Sequence, residues 1–145
     1  MTAVVLVAGG RAEPAKTSPT RHSCGAVDKQ FIHAAALSNT QLTMLGQDYV
    51  SGSLTAKDAI AQTTNAALGI KITAPRDPSL KLARTLMHGM FVEYGRAIRA
   101  QWQGGNPGKH MYRSYSLANY THQVLADAQP TLATQGCSVG DLLAD

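Results

Sequence analysis

The chain has 145 residues, 44% of them hydrophobic and only 15% charged, with a net charge of +4. That length holds one domain with a real core and leaves no room for a second. The low charge content argues against a disordered polyelectrolyte tail and suits a compact body with a partly neutral surface.

In chain order, Met1–Gly10 is a short apolar run followed by Gly10-Arg11-Ala12, a small-x-small triplet of the kind signal peptidase cuts after. The run is shorter than the ~20 apolar residues a spanning helix needs and lacks a basic n-region. We therefore expect residues 1–12 to be the tail of a secretory signal whose start lies upstream of Met1. Residues 13–23 are polar, contain Pro14 and Pro19, and are expected to be a flexible tether. The folded unit is then 24–145, in a secreted or extracytoplasmic product that has no transmembrane span.

Valine and isoleucine are sparse while Ala, Leu, Met and Gln are plentiful, which favours helix throughout. A first helix is expected over 25–49, with Val27, Phe31, Ala34, Ser38, Leu42, Leu45 and Tyr49 on one face. Ser51-Gly52-Ser53 breaks it. Thr55 with Asp58 opens a second helix on a capping-box pattern. Its thin stripe (Ala56, Ile60, Thr63, Ala67, Ile70) suggests that a homodimer covers some apolar surface. Asp77-Pro78 is a strong start for a third helix, lined by Leu80, Ala83, Met87, Met90, Tyr94, Ile98 and Trp102. After Gly104–Gly108 a fourth helix is expected over 110–129. Its seam is Met111, Tyr115, Ala118, His122, Leu125, Gln129 and Leu132. All six prolines are read as lying between helices or at their ends.

Four helices with short loops should run up-down-up-down, which places Cys24 and Cys137 at the same end of an all-α bundle. A disulfide between them is expected, suits an oxidising compartment, and contributes up to about 4–5 kcal/mol in the chain-entropy model.

Three function classes follow. From Lys71 to Arg113 there are eight basic residues against Asp77 and Glu93. This bias points to a non-enzymatic interaction protein that meets an anionic or protein partner of the cell envelope. Its candidate contacts are Arg84, Arg96, Arg99, Trp102, Tyr112 and Arg113. Nucleic acid matches the sign of the charge but not the compartment. The second class is a small-ligand carrier with a pocket between helices three and four, lined by Met87, Met90, Tyr94, Tyr115 and His122. Histidine and methionine facing each other there are a haem-ligand pair; with no C-x-x-C-H the haem would be non-covalent. Otherwise no cofactor is expected. The third class is an enzyme, for which no nucleophile–base arrangement is visible.

No histidine pair or carboxylate cluster has zinc spacing. Gly108-Lys109 fails as a phosphate loop, because Gln103 replaces the first glycine and His110 the Ser/Thr. Asn119-Tyr120-Thr121 is a sequon in the middle of a helix. Glu93 with Arg96 is expected to be an i,i+3 pair on an exposed helix face.

Overall fold

A computed structural model describes residues 23–144 as five helices: α1 Ala26–Ser51, α2 Ala56–Lys71, α3 Pro78–Trp102, α4 Gly108–Thr134 and α5 Gly140–Leu143. The signal-like segment 1–12 and nearly all of the 13–23 tether lie outside the described residues. No strand occurs among those described, so the all-helical reading holds and is compatible with a bundle. No described helix is long and apolar enough to cross a membrane.

Helix α3 is the centre. It packs along α2 on one side and α4 on the other, while α1 lies mainly on α2 and touches α3 more lightly. Phe31, Ile70, Leu80, Met87, Phe91, Leu125 and Leu132 are essentially inaccessible and form the main core. A smaller cluster of Leu45, Ala59 and Ile98 closes the far end. Cys24 and Cys137 are joined across 113 residues of chain. Beside the disulfide, the Cys24 N–H donates to the Gln135 carbonyl at 2.8 Å, which fixes the start of α1 to the end of α4. Gly136, at φ +85°, makes this join possible: its left-handed turn lets the Cys137 N–H reach back to the Leu132 carbonyl.

Helix starts follow local chemistry. Asp77 accepts from the Ser79 and Leu80 amides at 2.8 and 3.1 Å with Pro78 at the first helical position, and Thr55 accepts from Asp58 N. The thin face of α2 has a physical purpose. A Cβ on Gly95 of α3 would stand 2.6 Å from Thr63 Oγ1, so a glycine and a small residue let the two helices approach closely.

Four expectations are corrected. Helix α4 runs five residues beyond 129 and carries Pro130 inside it. Pro130 and Ala126, whose carbonyl has no N–H at position 130 to accept from, are both solvent-exposed, so that carbonyl lies open to solvent near the helix end. The inner face of α4 is His110, Ser114, Leu117, Thr121, Leu125, Ala128 and Leu132; its first half is turned by one residue from the expected seam. Ser114 and Thr121 tolerate burial because their hydroxyls donate to the Met90 and Leu117 carbonyls. Glu93 is buried rather than exposed. Finally, α5 was not expected: it is too short to show a period, yet it inserts Leu142 into the core, with Val139 just before it.

Candidate functional site

The outward side of α3 beside α2 carries Lys81, Arg84, His88, Val92, Arg96, Arg99 and Trp102, residues that helical spacing puts on one face. Between the two helices runs a groove of about 240 Å³, walled by Ile60, Leu68, Phe91 and Val92 and bordered by His88, Arg96 and Arg99. No carboxylate lines it. Arg84 is anchored, donating from Nη1 to the Thr73 carbonyl at 2.7 Å. Arg99 is exposed and has no ion pair among the described residues. At the end of the row Trp102 is 60% exposed, while Tyr112 and Arg113 project from the first turns of α4.

Both acids of the 71–113 segment are removed from the surface. Asp77 is spent on the α3 cap, and Glu93 takes Arg96 Nη1 on one oxygen and His110 Nδ1 on the other, each at 2.6 Å. Nδ1 is the donor, since a carboxylate only accepts. Burial alone would push the Glu93 carboxyl up. The hydrogen bonds from His110 and Arg96, with their charge, outweigh that and hold it below its usual value. Sequence reasoning took His110 for a helix start only; the signal for this pair was its place four residues before Ser114 on the true inner face.

A second groove, of about 410 Å³, lies between α3 and α4 and is closed below by Leu142. It brings together three of the residues expected to share a pocket, Met87, Met90 and His122, alongside Thr121 and Leu125. Tyr94 and Tyr115 do not line it. Tyr94 instead abuts α1, where a Cβ on Gly46 would meet its hydroxyl at 3.2 Å. Burial, then the neighbouring Tyr115 and Tyr49, raises its phenol above the usual value. Tyr115 itself is 64% exposed, because the rotation of α4 carries it off the seam.

A third groove, about 450 Å³, separates α1 from α2 and was not foreseen. Leu37 and Met44, seven residues apart on α1 and off its inner stripe, were its sequence signal; both are more than half exposed. Among the described residues no cluster of His, Cys, Asp and Glu is built to hold a metal. The chain matches no protein-family model, no curated protein and no solved structure.

Proposed function

We propose that this chain is an exported, non-enzymatic binding protein that engages an anionic partner of the cell envelope through the basic face of α3. One observation carries the reading. Both carboxylates between Lys71 and Arg113 are buried and internally bonded, so the surface of that segment presents cations alone. Arg99 and Arg113 supply charge, with the outer part of the Arg96 guanidinium that Glu93 does not engage, and Trp102 and Tyr112 supply exposed aromatic area. Arg84, half-committed to the Thr73 carbonyl, steadies the lower end of the face. The disulfide supports export, since such bonds persist in oxidising compartments. Alternating directions for the four long helices belong to the same reading, supported by the bond between the start of α1 and the segment just after α4.

The test is binding of the chain to an immobilised polyanion such as polyglutamate at rising salt. Association should weaken steeply with ionic strength and weaken further when Arg96 and Arg99 are both alanine. Retention indifferent to both changes would overturn the reading.

The α3/α4 groove favours a second reading, a small-ligand carrier, because Met87, Met90 and His122 border one cavity of ligand size. Native mass spectrometry of the protein secreted by its own host would show a discrete added mass, and haem would add a Soret band. Recovery of the bare chain alone would remove this reading.

A further inference from the structure

We infer that the α2/α3 face is a peripheral docking surface for an anionic phospholipid bilayer. The inference rests on the basic-face reading above and names its partner. The face joins two features that an acidic protein partner would not need together. On α2, Leu68 is 50% exposed and Ile72, the residue that follows the helix, is 82% exposed; they are four residues apart and so project side by side. Flanking them are the exposed Lys71 and Lys81, with His88, Arg96 and Arg99 along the groove. Aliphatic tips ringed by cations, with no carboxylate in the groove, are what a surface needs to lie on anionic headgroups and sink its apolar points into the acyl boundary. The groove walls, Ile60, Leu68 and Val92, extend the same apolar strip upward between the cations.

The strip ends at Trp102, the single tryptophan of the sequence, 60% exposed and seven residues after Gly95 on the same side of α3. An indole with an apolar body and one N–H donor suits the headgroup layer. Its position also makes it an internal reporter. The chemistry is that of a two-signal peripheral contact: electrostatic attraction worth roughly a fivefold gain in affinity per basic residue near the surface, plus shallow insertion of two aliphatic side chains.

The experiment mixes the oxidised full chain with vesicles of phosphatidylcholine alone or with one part in three phosphatidylglycerol, reading Trp102 emission and co-sedimentation. The expected result is binding to the anionic vesicles only, with a blue shift of Trp102. Replacing Arg96 and Arg99 by alanine should lower the affinity by roughly 30-fold. Replacing Leu68 and Ile72 by serine should lower it several-fold, and because both are exposed the fold survives, as helical circular dichroism will verify. Lys71→Glu with Lys81→Glu gives an independent charge test in the same chain. Equal binding to neutral vesicles, or indifference to either set of substitutions, overturns the inference. Capture by polyglutamate without vesicle binding overturns it while leaving the basic-face reading intact; failure of both polyanion and vesicle binding removes both.

Discussion

Asp28 offers the most demanding test of how this fold is held. It lies in the first turn of α1 with no exposed surface. One carboxylate oxygen accepts from the Arg76 and Asp77 amides at 2.6 and 3.0 Å, and the other from the Gly25 amide at 3.2 Å. One side chain therefore fixes the start of α1 to the loop between α2 and α3. That loop in turn supplies the Thr73 carbonyl on which Arg84 is anchored.

Asp28→Ala strands at least these three donors. The Asp77 amide is buried and should cost about 1–3 kcal/mol, while the two partly wetted amides cost about 0.5–1 kcal/mol each. Loss of a negative charge near the α1 N-terminus adds a few tenths to ~1 kcal/mol. The sum is roughly 2–6 kcal/mol, a large share of the 5–15 kcal/mol typical of a domain. Asp28→Asn keeps an oxygen for Arg76 and Asp77 but turns an NH₂ toward Gly25 and loses the charge, so about half that penalty is expected. Urea denaturation with the disulfide intact gives both numbers, provided the m-value is unchanged. Hydrogen exchange at the Asp77 amide locates the effect. An alanine variant within 1 kcal/mol of wild type, or an asparagine variant as damaged as the alanine one, would refute the argument.

Gly95→Ala should destabilise by about 1–2 kcal/mol, because the clash with Thr63 outweighs the gain in helix propensity. In a Thr63→Ala background the same change should become neutral or stabilising, and thermal melts of the four proteins decide whether the sign reverses. Glu93→Gln should cost about 1–3 kcal/mol at pH 7. Since the folded carboxyl titrates below its unfolded value of 4.5, the stability it adds is present above that pH and fades as pH falls through the folded pKa. Wild type and variant should therefore converge in urea midpoints as the pH falls below 4.5; a gap that stays constant would mean the ion pair is not its source. Replacing both cysteines by serine removes a bond closing 113 residues, for which the chain-entropy model gives about 5 kcal/mol as an upper figure. Loss of less than 1 kcal/mol in the same melts would show that the Cys24–Gln135 backbone bond and the packing around Val139 suffice.

Much of the fold was legible because its boundaries rest on local chemistry. Thr55, Asp77-Pro78 and the Gly104–Gly108 break act within one turn of the helix ends they define, and a single sequence displays them in full. Asp28 was not legible, because its role depends on amides 48 and 49 positions away. Pro130 was misread for another reason. The rule against proline inside a helix is an energetic cost of about 3 kcal/mol rather than a prohibition, and here it falls in the last turns of α4, four residues before Thr134. The thin stripe of α2 was legible, but the glycine that lets α3 approach it closely lies 32 residues further along the chain.

The fourth helix shows why site prediction is more fragile than fold prediction. A seam drawn through Met111, Tyr115 and Ala118 differs by one position from the seam the helix adopts. One position is 100° of rotation, enough to exchange a lining residue for an exposed one. What decides the phase is where close approach to α3 is possible. Ser114 fits under the Met90 carbonyl, and Leu117 fits against Gly89, where a Cβ would come within 3.2 Å. Tyr115 in either place would be too large for that approach. The rotation moves Tyr115 out to solvent, brings His110 over Glu93, and leaves His122 at the groove's edge, still beside Met87 and Met90. It is also what buries the Glu93 charge, and so the basic character of α3 depends on the phase of its neighbour. A substitution that rotates α4, such as Ser114→Leu, should therefore release Glu93 from His110 and weaken polyanion binding without touching any arginine.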